Sequence, residues 1–265
     1  MANFEQSAFH NREEPTIPLL RQIRHVLGLT NVALWGLWAR RRLPAGASRG
    51  ASAEWLHQIS MRALRALDIG LETEGERPTI GLVVSNHLSY LDIIVYSAAL
   101  PCVFVSKAEV EQWPVFGRYA RWAGSVFVRR HDRSDAARAN ASVADTLREG
   151  VPVLLFPEGT TTDGQHLLRF HSTMLQPAID VGAAVTPASI RYELAESGTT
   201  SEVAWWGAMP LLPHMWRLLG LDGLRAHVVF GEPTAPLSDR KQFSAVLHER
   251  VMALRESGVT QAASR

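Results

Sequence analysis

The sequence predicts an α/β domain with a mostly parallel central sheet flanked by helices, and three observations predict it. Short apolar runs alternate with longer stretches whose apolar residues recur at helical spacing. The chain has 265 residues, 46% of them hydrophobic, enough for one principal domain with a sizeable core. Its chemistry-bearing residues also follow directly after apolar runs, where loops leave the carboxyl ends of strands in such folds.

The opening stretch, MANFEQSAFHNREEPT, contains acids and lacks a basic start followed by an apolar run, so no cleaved secretory signal is expected and the chain is expected to begin in the cytoplasm. Val26 to Ala39 is uncharged and flanked by Arg21, Arg24 and the triplet Arg40, Arg41 and Arg42. Its 14 residues fall short of the about 20 that a transmembrane helix needs. With Trp35 and Trp38 the segment suits an interfacial or re-entrant, membrane-associating helix on the cytoplasmic face; the alternative is an ordinary helix buried against the domain. RLPAGASRGAS reads as a linker, which divides the chain into an N-terminal segment 1–50 and a principal domain 51–265.

From Glu54 onward the strand candidates are TIGLVV, CVFVS, SVFV, VPVLLF, AVTPASI and AHVVF. Helical patterns between them are YLDIIVYSAAL, VFGRYARWA and RSDAARANASVADTLREG, the last ending at Gly150, where a left-handed cap is expected. Ala204 to Leu221 is apolar and reads mainly as buried core, with part of it a second apolar contact. SDRKQFSAVLHERVMALRES reads as an amphipathic helix capped by Ser238, its charges forming a solvated face.

Twenty-seven basic and 26 acidic residues leave a net charge of +1, so the chain has no polycationic field of the kind that favours nucleic acid. One cysteine, Cys102, excludes an internal disulfide and reads as core packing. No G-x-S-x-G elbow, Walker loop, G-x-G-x-x-G or H-E-x-x-H is present, and His166 and His171 lie too far from acids and cysteines to argue a metal site, so neither metal nor cofactor is expected.

Two strand ends carry the chemistry. SNHLSYLD places His87 five positions before Asp92 at a strand-to-helix corner. A loop entering a helix can bring the two together, so that the carboxylate fixes the imidazole tautomer and the other ring nitrogen takes a proton from an incoming hydroxyl. LLFPEGTTTDG places Glu158 after an apolar run and a proline, before small turn-forming residues.

NHLSYLD, GSVFVRR, FPEGT and VTPASI occur in the order and approximate spacing of the glycerolipid acyltransferase family, bacterial type, and the chain resembles that family from about Gly70 to Pro233. Asn86, His87 and Asp92 match its N-H-x-x-x-x-D pattern; Gly124, Phe127 and Arg130 match G-x-x-F-x-x-R; Phe156 to Thr160 match F-P-E-G-T; and Pro187 matches a proline within an apolar strand. The resemblance implies transfer of a fatty acyl group from acyl-CoA or acyl carrier protein, as co-substrate, to the hydroxyl of a lysolipid by direct attack. It also implies His87 as general base, Asp92 as its orienting partner, and Glu158, Gly159 and Thr160 at the acceptor site. Arg130, helped by Arg129 and Lys107, would meet phosphate oxygens, for which a guanidinium offers a planar fork.

One departure bears on the acceptor. Many phosphatidate-forming members continue F-P-E-G-T with arginine, whereas Thr161 and Thr162 follow here. The expected acceptor is 1-acyl-glycerol-3-phosphate, with another lysophospholipid or a lyso-ornithine-type lipid as the alternative. A membrane-bound interaction protein without catalysis is a third reading, and thioesterase or lipase activity a fourth.

Overall fold

The computed structural model describes residues 19–129, 132–195 and 200–262. The chain begins with two helices, α1 (Leu19–Arg42) and α2 (Arg49–Ala66), and then enters a seven-stranded sheet. In chain order the remaining elements are β1 (Gly70–Glu74), β2 (Leu82–Ser85), α3 (Leu91–Ala99), β3 (Val103–Lys107), α4 (Phe116–Trp122), β4 (Val126–Val128), α5 (Arg133–Arg148), β5 (Val153–Leu155), α6 (Gln176–Val181), β6 (Val185–Leu194), α7 (Leu211–Leu218), β7 (Leu224–Phe230) and α8 (Arg240–Ala262).

The strands lie in the order β1-β7-β6-β2-β5-β3-β4. Every neighbouring pair is parallel except β6 and β7. All six apolar runs became strands. β2 and β5, buried on both faces, are the continuous apolar runs expected of central parallel strands. β1 went unrecognised because GLETE, an edge strand of partly exposed residues, carries no apolar run.

Two apolar layers cover the sheet. On one face Tyr96, Leu91 and Val95 of α3 meet Val83, Leu154 and Ile190; on the other, Val143 of α5 and Phe243, Leu247 and Val251 of α8 meet Val84, Val103 and Val185. The stripe Phe243, Leu247 and Val251 repeats at four-residue spacing, which puts one side of α8 on the sheet and its charges in water. Its cap is Asp239 rather than Ser238: Asp239 Oδ1 accepts from the amides of Lys241 (2.7 Å) and Gln242 (3.1 Å), the second and third helical positions that a cap satisfies. Gly150 follows α5 with φ +74°, in the left-handed region expected of it.

The stretch read as linker needs a second correction. Only residues 43–48 connect α1 to α2, and Ser48 Oγ caps α2 by accepting from the amide of Ala51 at 3.2 Å. Arg49 to Ser52 are helical because Ser48 caps them and the helix they open buries Trp55, Ile59, Ala63 and Leu64. α1 lies along α2, with Gly36 against Ile59 and Tyr119 and the indole of Trp55 donating to the Gly36 carbonyl at 3.0 Å. Among the described residues no helix is long and apolar enough to cross a membrane.

Candidate active site

The carboxyl end of β2 is the starting point. Ser85, the last residue of the strand, pairs with Ala188 of β6. Asn86 extends that pairing through its side chain: its Nδ2 donates to the Ile190 carbonyl at 3.0 Å and its Oδ1 accepts from the Ile190 amide at 2.9 Å. With both amide ends satisfied at 2% exposure, Asn86 fixes where the chain leaves the sheet. His87 comes next, then a tight corner into α3.

The Asp92 side chain is fully buried and turns back over that corner. Its Oδ2 accepts from His87 Nδ1 at 2.7 Å, from the Leu88 amide at 2.7 Å and from the Ser89 amide at 3.0 Å; its Oδ1 accepts from the Tyr192 hydroxyl at 2.6 Å. Four donors on one carboxylate offset the cost of burying it, and the position in the first turn of α3 adds the favourable end of the helix dipole. Burial, followed by the charge of Asp92, pushes the Tyr192 hydroxyl well above its ordinary range, so it stays protonated and donating.

The imidazole of His87 stacks on Phe156, ring centroids 3.9 Å apart and planes 7° apart. With Nδ1 engaged by Asp92, Nε2 is the nitrogen open to a ligand, and 17% of the side chain remains exposed. The backbone of His87 is gripped on both sides by the loop after β5: its amide donates to Glu158 Oε1 at 2.8 Å and its carbonyl accepts from the Thr162 amide at 3.0 Å. Glu158 Oε2 accepts from the Leu168 amide at 2.8 Å. Burial pushes the Glu158 carboxyl up to about 7, working against the two amide donors and Arg255.

His87 opens into a cavity of about 680 Å³. Its walls are mainly apolar, from α1 and α2 (Val32, Ile59), α3 (Ile94) and α7 (Leu211, Met215). Of the residues singled out in the sequence, His87, Lys107, Gly159 and Thr160 line it, as does Thr161. Glu158, Gly124, Phe127 and Arg129 stand outside the lining: Glu158 points into the fold, Gly124 takes the left-handed turn after α4 (φ +77°), Phe127 sits on β4 opposite Ser106, and exposed Arg129 gives its amide to Asp135. Arg130 lies outside the described residues.

Besides the imidazole, Lys107 and Glu109 are the charged side chains in the described lining. Sequence reasoning missed Tyr192, whose contact with Asp92 spans 100 residues and has no local signal, and Tyr90, a cavity-lining residue inside the histidine motif whose hydroxyl meets His214 Nδ1 at 3.0 Å.

A histidine–aspartate pair at a strand-to-helix corner, opening on an apolar cavity and with no serine or cysteine hydrogen-bonded to the imidazole among the described residues, has the form of a group-transfer site for an apolar substrate. The comparisons agree. Residues 72–191 match the family model described as Acyltransferase. A 1-acyl-sn-glycerol-3-phosphate acyltransferase of Neisseria gonorrhoeae is 39% identical over 171 residues, 63% of this chain and 67% of that one. A lyso-ornithine lipid O-acyltransferase of Pseudomonas aeruginosa is 36% identical over 220 residues, 81% of this chain and 84% of that one. The crystal structure of a 1-acyl-sn-glycerophosphate acyltransferase from Thermotoga maritima superposes with a TM-score of 0.63 over 93% of this chain and 96% of that one, at 22% identity, and shares its fold. The chain belongs to the bacterial glycerolipid acyltransferase family, and it is an acyltransferase.

Proposed function

We propose that the enzyme transfers a fatty acyl group from a thioester, acyl-CoA or acyl carrier protein, to the free hydroxyl of a lysolipid, with His87 as general base. The observation that carries this is the buried Asp92 carboxylate 2.7 Å from His87 Nδ1 at the head of the 680 Å³ apolar cavity. Nε2 takes the proton as the hydroxyl oxygen attacks the thioester carbonyl; the carbon–sulfur bond breaks, and the same nitrogen returns the proton to the departing thiolate. Asp92 holds the tautomer and balances the imidazolium between the two transfers. The cavity accepts the acyl chain, since its volume lies in the range of pockets that bury a whole ligand.

For the acceptor, the head group that best fits the lining is zwitterionic, of the lyso-ornithine type. Lys107 and Glu109 offer one charge of each sign, and Thr161 stands neutral at the wall where arginine was expected. The lyso-ornithine relative also aligns over the longer stretch of this chain. Lysophosphatidate is the second reading, favoured by Lys107 and by the 39% identity with the Neisseria enzyme. The reaction takes place at a membrane surface, where such lipids reside, with α1 as the first contact.

A panel of lysolipids with acyl-CoA and acyl carrier protein, followed by release of free thiol, tests the reading. His87→Ala should lose on the order of a hundredfold to ten-thousandfold in turnover. A folded His87→Ala protein within a few-fold of wild type overturns the assignment of the base, and fatty acid released without any acceptor overturns the transfer reaction.

A further inference from the structure

β6 runs beside the catalytic corner and meets it at three alternate residues. Ala188 pairs with Ser85 in the parallel ladder, Ile190 takes the Asn86 side chain on its amide and carbonyl, and Tyr192 donates its hydroxyl to Asp92 Oδ1 at 2.6 Å. Residues two apart on a strand share a face, and all three lie in the apolar layer that α3 covers. On its other edge the same stretch of β6 pairs with β7 from Ala188 to Leu194, so the sheet holds Tyr192 in place. The first two contacts place the chain, whereas the third reaches the carboxylate itself.

The two oxygens of Asp92 are served differently. Oδ2 takes three donors from its own corner, the His87 ring and the amides of Leu88 and Ser89; among the described residues Oδ1 takes one, the Tyr192 hydroxyl. Removing that hydroxyl leaves the carboxylate oriented by the three bonds on Oδ2, but strips Oδ1 of its donor on a fully buried side chain. The consequence is electrostatic. Without an added proton the His87–Asp92 pair carries one negative charge, and with it none. A hydrogen bond to a full charge is stronger than one to a neutralised pair, so the Tyr192 hydroxyl favours the unprotonated form, in which His87 can act as base. The same holds whether the added proton rests on the ring or on the carboxylate. Burial, followed by the charge of Asp92, keeps the phenol protonated, so it gives a hydrogen bond and not a proton.

The other titratable and charged groups facing the pair are Tyr96 of α3, whose hydroxyl meets Ser85 Oγ at 2.5 Å, Glu158 with Arg255 of α8 acting on it, and Tyr90, Lys107 and Glu109 in the cavity wall. All of them stay in place when the hydroxyl at 192 is removed, so a change in proton uptake reports the bond to Oδ1.

We propose that Tyr192 is a positioning residue of this reaction: by donating to Asp92 Oδ1 it sets how readily the His87–Asp92 pair takes up a proton, and so how far into acid His87 remains a base. This rests on His87 being the base of the acyl transfer.

The acid limb of the pH profile of kcat/KM, measured with a thioester donor and a lysolipid that the wild type uses, tests this. Tyr192→Phe keeps the ring and removes the hydroxyl. Its acid limb should lie about 0.5–1 pH unit above that of wild type, the shift that corresponds to exchanging a charge-assisted bond for none at the anion and a weaker one at the neutralised pair. Fluorotyrosine introduced at position 192, a stronger donor of nearly the same shape, should move the limb the other way, and it carries the test where the phenylalanine variant does not fold. Tyr96→Phe is the control: it removes a second buried hydroxyl from the same layer, one bonded to Ser85 rather than Asp92, and should leave the limb in place. The proton NMR titration of the His87 ring, identified by its loss in His87→Ala, should follow the limb in each variant. A limb and a titration that stay put or move toward acid in Tyr192→Phe overturn the proposal, and so does an equal shift in Tyr96→Phe. Absence of acyl transfer to any lysolipid overturns the transfer reading instead, and the ring titration then decides for Tyr192 by itself.

Discussion

Replacing Asp92 separates its two jobs. The buried carboxylate satisfies four donors, three on Oδ2 and one on Oδ1. In Asp92→Asn the amide oxygen can keep the Oδ2 position and accept from His87, Leu88 and Ser89, while the amide nitrogen faces Tyr192, whose hydroxyl can turn to accept. The contacts survive in number, but each falls from a charge-assisted bond of about 1.5–3 kcal/mol to a neutral one of about 0.5–1.5 kcal/mol. The buried charge disappears at the same time, so the net loss is smaller than the sum, about 1–3 kcal/mol, or a fall in Tm on the order of 2–12 °C for a chain of this size. Asp92→Ala instead leaves two amides, a hydroxyl and an imidazole N–H without their acceptor at a site with no solvent, at about 1–3 kcal/mol each, and should not yield a stable fold. Activity should separate the other way. Asp92→Asn removes the charge that stabilises the imidazolium and should lose at least about a hundredfold in turnover while remaining folded. Thermal melts and thiol release on the two variants check this. Turnover within about threefold of wild type for Asp92→Asn, or an Asp92→Ala protein as stable as Asp92→Asn, would refute the reasoning.

Two further outcomes are expected. The folded pKa of Glu158, about 7, lies above its ordinary 4.5, so between these values the folded chain holds a proton that the unfolded chain has released. Its contribution to stability is therefore full below about pH 4.5 and lost as pH rises to about 7, by roughly 3 kcal/mol, and Glu158→Gln should flatten that part of the Tm–pH curve; an identical slope in both proteins would refute the assignment. Thr161→Arg puts a cation on the cavity wall and should shift the ratio of specificity constants toward lysophosphatidate over lyso-ornithine lipid by on the order of tenfold or more, measured with both acceptors; an unchanged ratio would show that residue 161 does not meet the head group.

Six of the seven strands were legible because each is a local apolar run of four to eight residues, and the histidine–aspartate corner because its partners are five residues apart. What escaped depends on distance or on context. Tyr192 reaches Asp92 only because β6 lies beside β2 in the sheet, an adjacency that no local pattern announces. The start of α2 resembled a linker because glycine, serine and alanine serve both, and tertiary burial of Trp55 and Ile59 decides for helix. The cavity is a joint product of α1, α2, α3, α4 and α7, so no segment alone displays it. The membrane-contact reading of Ala204 to Leu221 likewise depended on which residues face outward. Val203 and Ala204 are buried whereas Leu212 and Trp216 are not.

The loop from Phe156 to Thr162 combines two tasks on alternate sides of one turn. Inward, Phe156 stacks on the imidazole, Glu158 takes the His87 amide and Thr162 gives its own amide to the His87 carbonyl. Outward, Gly159, Thr160 and Thr161 form cavity wall, with Gly159 at φ +76° reversing the chain between them. Glu158 and Thr162 therefore hold the backbone of the base from outside the cavity lining, Phe156 both stacks on the imidazole and forms wall, and Thr160 and Thr161 form wall. A substitution at 161 can change the head group accepted without moving His87, whereas one at 158 moves His87 whatever the acceptor. In kinetic terms, variants at 161 should alter acceptor KM and leave donor turnover near wild type, and variants at 158 should depress turnover on every acceptor alike.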